Sequence, residues 1–458
     1  MTYNTNQTRL GRRALLGGVI ALPMLSGCDE DKKPVLAGHR VDVLSSGAGL
    51  TVDKDDSTPI ALPPVQTLDN WPQSGVHPDH VAINAAWPGT TKQLWTHSIG
   101  HGVSEPSLWS FAALGSNGRG AIQSPPVVGG GRIYTVDGIG TVRAWNWPGM
   151  TQVWSLTPTP RKMKSSNIGG GIGLDGDTLY IVDGVAQTLA VDAATGHVKW
   201  RTDLGTPGRS APTIVDGRVF FGTIDERLFA LDAKTGKQIW TYSATPADTV
   251  MFGQPAPAVV DGIVLAGFGS GDLVALRAVT GEMVWSDSLG GSNGRDETMD
   301  FACVRGAPVI SEGTAYAVSM SRVLVAIDMR SGRRLWEREV ASQNALCVAG
   351  DWIYVLSADE QVACVDKLSG HVRWISQLRR FVRMEAQKNA IEWLGPVLAG
   401  GKLVCISTWN KNGMAVLDAV SGKITDIVPT HKPSLVAPIV CDGQVLVISE
   451  DGNLTAYG

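Results

Sequence analysis

Six cysteines and eight histidines are the residues of this 458-residue chain whose chemistry spacing alone would reveal. The histidines are scattered and form no grouping with cysteine, so metal-assisted hydrolysis lacks a ligand set. Cys303, Cys347, Cys364, Cys405 and Cys441 are never adjacent and form no C-x-x-C, which removes the metal and redox-motif readings. These five are odd in number and cannot all pair within one chain. Cys347, Cys364, Cys405 and Cys441 each sit in an apolar, strand-like run, the setting of buried free thiols. Gly171-Ile-Gly-Leu-Asp-Gly176 satisfies G-x-G-x-x-G, but that pattern holds pyrophosphate only between a strand and a helix N-terminus. Here Asp175-Gly176 reads as a hairpin turn and Leu179 to Val182 as a strand. No catalytic constellation is left, and the chain is read as non-enzymatic, without metal or cofactor.

The elements that would position any site are announced by composition. Apolar residues make up 43% and charged residues 18%, with 54 Gly and 15 Trp but only 8 Phe and 7 Tyr. That excludes a disordered or coiled-coil chain, and it predicts many short strands joined by tight turns. The formal net charge is -4, and without residues 1–27, which hold three Arg and no acid, 36 basic groups face 43 acidic ones. Such a surface has no footprint for nucleic acid or anionic lipid headgroups.

From about residue 120 onward one pattern recurs, clearest between Ser210 and Trp240. It reads as four strands in series, turning at Asp216-Gly217, Asp225-Glu226 and Thr235-Gly236. Gly196, Gly236, Gly281, Gly332 and Gly370 are each followed by Trp200, Trp240, Trp285, Trp336 and Trp374, and preceded by Asp192, Asp232, Arg277, Asp328 and Asp366, always at the same interval. Asp418 and Gly422 keep that interval, with Asp426 in place of the Trp. An Asp opening the turn bonds the backbone ahead of it, Gly supplies positive φ, and Trp offers a plate to the next unit. With Trp154 included, the Trp spacings of 46, 40, 45, 51 and 38 residues have the period of a four-stranded propeller blade. The last copy stops at Tyr457-Gly458 after three strands, and its missing strand, with Trp95, lies at Gln93 to Ser98. The expected fold is therefore all-β: an eight-bladed β-propeller of four-stranded antiparallel blades, closed by pairing of N-terminal and C-terminal strands so that no sheet edge stays open at the seam.

Ahead of the repeat, Ala14 to Leu25 is a 12-residue apolar run containing Gly17, Gly18 and Pro23, too short to span a bilayer. Flanked by Arg12-Arg13 and by Ser26-Gly27, it fits the h-region of a signal peptide. Leu25-Ser26-Gly27-Cys28 resembles a bacterial lipobox, which makes Cys28 the lipidated N-terminus. The arginine pair partly resembles a twin-arginine signal but lacks the usual Ser or Thr before it and the aromatic after it, so twin-arginine and Sec export both stay open. Asp29 resembles an inner-membrane retention signal, an alternative to the outer membrane. Asp29 to Asp56 holds seven acids and four basic groups around Ser45-Ser-Gly-Ala-Gly49 and reads as a mobile tether. The chain thus divides into a signal peptide at 1–27, a lipidated N-terminus and flexible tether at 28–90, and a propeller at 91–458.

The repeat, with D-G at its first turn and A-L-D-A-x-T-G before the Trp, resembles the pyrroloquinoline-quinone-type propeller repeat over most of the chain. Together with the lipobox and the eight-blade count, it resembles the outer-membrane protein assembly factor BamB family. Arg330 to Glu339, Trp352 to Val355 and Asp442 to Gly452 strengthen that likeness, and Ala37 to Leu44 and Asn70 to Gly75 resemble the leader of its alphaproteobacterial members. The resemblance implies a non-catalytic lipoprotein scaffold on the periplasmic face of the cell envelope that aids folding and insertion of outer-membrane proteins. Its implied partners are the POTRA domains of the BamA-type barrel insertase and other assembly-machinery lipoproteins, with membrane attachment through the lipid. The matching contact stretches are Met251 to Pro257 and Glu297 to Pro308, which makes Met251, Phe252, Gln254, Asp300 and Arg305 the candidate partner-binding residues. Phe252 stands where the family has an Arg, and Cys303 and Arg305 where it has acids. The alternative is a quinoprotein-type oxidoreductase or a ligand-binding periplasmic propeller. Quinoprotein dehydrogenases resemble the chain in blade architecture but carry a vicinal Cys-Cys pair, calcium ligands and long inserted loops, none of which the sequence offers. Arg379, Arg380 and Arg383 form a basic run that reads as a solvated loop.

Lipidation is directly testable. Cys28→Ala is expected to move the protein from the membrane fraction to the soluble periplasm, and persistence in salt-washed membranes, with no lipid on the parent protein, would rule the anchor out.

Overall fold

All but one of the blades are built on a cross-strand row in which a small side chain separates two bulky ones; the exception runs Val397, Val404, Val416, Asp426. In blade 3, Thr213 faces Phe220, Phe220 faces Ala230, and Ala230 faces Trp240. The alanine leaves room above it, so the Phe220 and Trp240 rings close to 5.8 Å across the strand between them. Tyr134 with Trp154, Tyr180 with Trp200, Tyr316 with Trp336 and Tyr354 with Trp374 repeat the arrangement. Rings this close add about 0.5–1.5 kcal/mol per pair beyond their area burial.

The computed structural model describes residues 49–102, 122–159, 169–247, 255–290 and 302–458, and the signal peptide and Cys28 lie outside them. Eight four-stranded antiparallel sheets follow one another. Blades 1 to 7 occupy residues 127–156, 170–203, 213–243, 258–288, 309–338, 347–377 and 393–428. Blade 8 takes its three inner strands from 439–457 and its outermost from Gln93–Ser98, which pairs antiparallel with Asn453–Tyr457. Within each blade the first strand is innermost, and first strands of neighbouring blades pack together around the axis.

Turn chemistry explains the tight connections. Asp216 and Gly217 both have positive φ, 49° and 69°, as a two-residue hairpin turn of the mirror-image type requires. At the third turn the Asp232 carboxylate accepts the Thr235 amide and hydroxyl, each at 2.7 Å, and Asp192 and Asp328 do the same with Thr195 and Ser331. Those hydroxyl donors hold all three carboxyls below the usual carboxylate range.

Neighbouring blades are joined through the turn glycine. A Cβ at Gly236 would fall 2.4 Å from the Trp200 ring, and one at Gly281 2.7 Å from Trp240, so only glycine admits the preceding blade's indole. The indole N–H then donates to the backbone carbonyl next to the turn Asp: Trp154 to Ala193, Trp200 to Ala233, Trp240 to Ala278, Trp285 to Met329 and Trp336 to Lys367, at 2.8–3.0 Å. Asp426 now has a reason. It faces blade 8, where chain ends replace the turn, and there is no turn glycine to receive an indole. Across that seam Trp95 packs edge-on against Trp147 of blade 1, ring centroids 6.0 Å apart.

The leader corrects the tether reading for its described part. Residues 49–90 do not hang free, because their backbone is bonded to the propeller. Residues 68–85 run once around the inner rim and meet the first strand of each blade in ring order. Asp442 donates to Leu68 O in blade 8, Trp71 exchanges two bonds with Val128 in blade 1, and Leu174 donates to Pro72 O in blade 2. The Ile214 amide reaches the Gln73 side chain at 3.0 Å in blade 3. Val259 donates to Pro78 O, Ile310 to Asp79 O, Ala82 to Val348 O and Ala85 to Leu398 O, which covers blades 4 to 7. Upstream, Val372 donates to the Asp53 carboxylate, Trp352 Nε1 to Ala61 O, and Asp56 contacts His371 and Arg373 on blade 6. Innermost strands are sheet edges whose amides and carbonyls need partners, and the leader supplies one in every blade.

A clasp of this kind carries stability. Deleting residues 49–90 should lower the urea midpoint and promote aggregation, and Gln73→Ala alone, by orphaning the Ile214 amide, should cost about 1–3 kcal/mol. An unchanged midpoint on deletion would restore the tether reading.

Candidate functional site

The two edges of the ring differ. First and third connections within each blade are tight turns on one edge. Second connections, and the links from blade to blade, leave on the opposite, loop edge, where surface can vary without disturbing the blades. Candidate residues Met251, Phe252, Gln254 and Asp300 lie outside the described residues.

Arg305 is described, in the link into blade 5. It is half-buried, not an exposed anchor, and its guanidinium donates to the Gln343 side chain, bridging the links into blades 5 and 6. Next to it Cys303 is buried, and burial pushes its thiol up to about 11. Cys347 and Cys441 are pushed up to about 12 by the same cause, and all five described cysteines are free and buried. Thiols held this far from ionisation are inert as nucleophiles.

Four of the described acids on the loop edge are consumed by the fold. Asp183 accepts the amides of Val185, Ala186 and Gln187 through one carboxylate oxygen. Asp137 accepts the Ile139 and Thr141 amides and pairs with Arg143 at 2.6 Å. Glu226 and Glu360 both occupy left-handed turn positions, φ 57° and 59°, and reach across to the next blade. There they accept the Gly269 amide at 2.7 Å and the Trp393 amide at 3.1 Å. Burial pushes Glu360 up to about 8. These acids were not singled out from the sequence, although their place in the second connection of each repeat was a usable signal. His97 and His101 have a spacing that would bring two ligands together on a helix. Here His97 stands in a strand with its ring edge-on to Trp145, and among the described residues no metal-ligating group of three occurs.

Around the axis lies a cavity of about 170 Å³, walled by Val309, Leu346, Val397 and Ile439 and floored by Trp71 and His80 of the leader. His80 Nδ1 lies 2.8 Å from the Pro308 carbonyl, which can only accept, so Nδ1 carries the proton. Burial holds this histidine below its ordinary pKa and therefore neutral. A pyrroloquinoline quinone bears three carboxylates and would need cations around it. Among the described residues no Lys, Arg, Asp or Glu lines the cavity, so the described lining does not fit that group.

Residues 140–376 match the family described as outer membrane protein assembly factor BamB. BamB of Escherichia coli K12 is 23% identical over 97% of this chain and 98% of its own length. BamB of Xanthomonas campestris is 29% identical over 78% of this chain and 86% of its own. In three dimensions the crystal structure of BamB from Moraxella catarrhalis superposes with a TM-score of 0.65 at 21% identity, covering 80% of this chain and 99% of that one. The quinohemoprotein alcohol dehydrogenase of Comamonas testosteroni reaches 0.62 at 12% identity, over 85% of this chain and 80% of that one, a likeness of fold alone.

The raised carboxyl of Glu360 makes stability pH-dependent. In the folded chain it keeps its proton up to about pH 8, whereas unfolded it ionises above about 4.5, so stability is lost as pH rises through that window. Glu360→Gln retains an acceptor for the Trp393 amide and should flatten the loss, read as urea midpoints at mildly acidic and mildly alkaline pH. A variant that loses stability with pH as steeply as the parent would rule out this assignment.

Proposed function

The chain belongs to the outer membrane protein assembly factor BamB family, and from that premise we propose that it is a non-catalytic lipoprotein scaffold of the β-barrel assembly machinery, aiding insertion of outer-membrane proteins. The observation that carries the reading is the family match through residues 140–376, set on a closed eight-bladed ring. A rigid ring of this kind presents loops from successive blades at fixed spacing, which is what a docking platform needs. Asp137, Asp183, Glu226 and Glu360 on the loop edge serve turns and blade contacts, which supports a binding role for this edge.

Attachment is through Cys28, at the periplasmic face of the outer membrane by family likeness. The partner is the barrel insertase, engaged at the links into blades 4 and 5 that hold Met251, Phe252, Gln254, Asp300 and Arg305. Arg305 acts there through its hold on Gln343, which keeps two neighbouring links in register.

Affinity purification from detergent-solubilised envelope tests this directly. Co-purification of the insertase is the expected result, and truncating Phe252 or Arg305 to Ala should weaken it by about 1–2 kcal/mol. Unchanged co-purification in both variants would move the docking face elsewhere on the ring. Stoichiometric binding of pyrroloquinoline quinone with calcium would overturn the scaffold reading itself.

A further inference from the structure

Between blades 6 and 7 the chain leaves the repeat. The link there builds an additional two-stranded sheet on the loop edge, Phe381–Arg383 against Lys388–Ala390. An isolated hairpin of this size has little stability of its own. This one is fixed at its base, where Ile391 donates to Arg380 O at 2.8 Å and Trp393 Nε1 donates to Arg379 O at 2.9 Å. Ile391 and Trp393 are both buried, and from Arg383 to Ala390 every residue is exposed. The basic run that reads as a solvated loop is thus a rooted, projecting hairpin.

Its charge is unbalanced. Arg379, Arg380, Arg383 and Lys388 outnumber the two acids beside them, Glu385 at the tip and Glu392 at the base, and Lys411 adds a cation from the adjoining loop of blade 7. Two of these cations are engaged. Arg379 lies over the Trp409 ring at 5.0 Å, and Arg380 lies over Phe381 and pairs with Asp359 at 3.0 Å. The other two are not. Arg383 and Lys388 stand directly opposite each other across the strands, both exposed, with no partner of opposite charge among the described residues. Like charges in facing positions destabilise a strand pair, so this hairpin is held together against its own electrostatics. Around them are Met384, half exposed, and the partly buried rings of Phe381 and Trp409. Arg, Trp, Phe and Met together are the side chains enriched where proteins meet.

We propose that this hairpin is a docking finger for an acidic segment of a partner protein, distinct from the links into blades 4 and 5. Charge complementarity selects an anionic ligand, and the net charge of the chain selects its size. A bilayer is an extended anionic sheet and would face the negatively charged body, -4 overall, as well as the finger. A peptide segment meets the finger alone, within the roughly 8 Å over which charges act at physiological salt. The finger also projects from the loop edge, whereas the leader that runs toward the N-terminus lies along the opposite ends of the innermost strands.

Because the two cations face each other, one substitution separates docking from architecture. Lys388→Glu turns the cross-strand repulsion into attraction, so amide exchange in the hairpin should slow. The same change removes two units of charge from the finger and should weaken binding of a fluorescein-labelled oligoglutamate peptide about tenfold or more, followed by anisotropy at low and physiological salt. Lys234→Glu, on an exposed turn of the opposite edge, is expected to leave that affinity unchanged. The proposal is overturned if the parent protein fails to bind the peptide, or if Lys388→Glu binds it equally well. It also fails if phosphatidylglycerol vesicles, and not the peptide, bind the parent and are released by Lys388→Glu.

Discussion

Everything in this ring depends on the seating of one blade's indole on the next blade's turn glycine. The contact combines a steric demand, an apolar plate and a hydrogen bond in one place. A Cβ at Gly236 or Gly422 would lie 2.4–2.5 Å from the preceding Trp ring, so the glycine is fixed by space as well as by φ. The indole N–H closes on a buried backbone carbonyl, which at Ala233 also accepts the Tyr180 hydroxyl. Repetition of the same junction sets the angle between blades, and that angle sets how many blades close the circle. Where the circle is sealed by chain ends, the glycine is gone and so is the Trp, replaced by Asp426.

Closure by strand pairing at blade 8 is reinforced from inside. The leader visits all eight innermost strands in order, so the ring is joined at its outer rim by Gln93–Ser98 and at its inner rim by residues 68–85. Backbone amides that a propeller would leave facing its channel are satisfied by chain from outside the repeat. One end of the axial space is thereby floored with Trp71 and His80, which leaves an apolar cavity in place of an open channel. On the loop edge, Arg305 ties two links together and a cationic hairpin stands clear of the blades.

The repeat was legible because its determinants are local. Asp-Gly at the first turn, Asp and Gly at fixed distance before Trp, and an alanine between two aromatic rows can all be read within a single copy. Even the split blade could be found by counting strands. Arg305 and the hairpin were harder. An Arg in a link reads as exposed until its partner Gln343, in the following link, is placed beside it. Arg379, Arg380 and Arg383 read as solvated because nothing near them in the chain shows that Trp409 and Trp393 anchor their base.

By itself the sequence determined the strand period, the turns, the blade count and the seam, since each is a property of short stretches with strong steric or hydrophobic preferences. Only the tertiary structure decided the fate of residues 49–90, the protonation of Glu360 and the exposure of the facing cations. The leader binds through backbone atoms and a few side chains such as Gln73 and Asp53, so its charged, glycine-containing composition carries no trace of the strands it meets. Glu360 depends on the neighbouring blade that covers it, and the hairpin that carries Arg383 and Lys388 on Trp393 and Trp409, which hold its base. Local pattern specifies which element forms; what surrounds a given atom is settled by residues tens to hundreds of positions away, and only the closed ring brings those together.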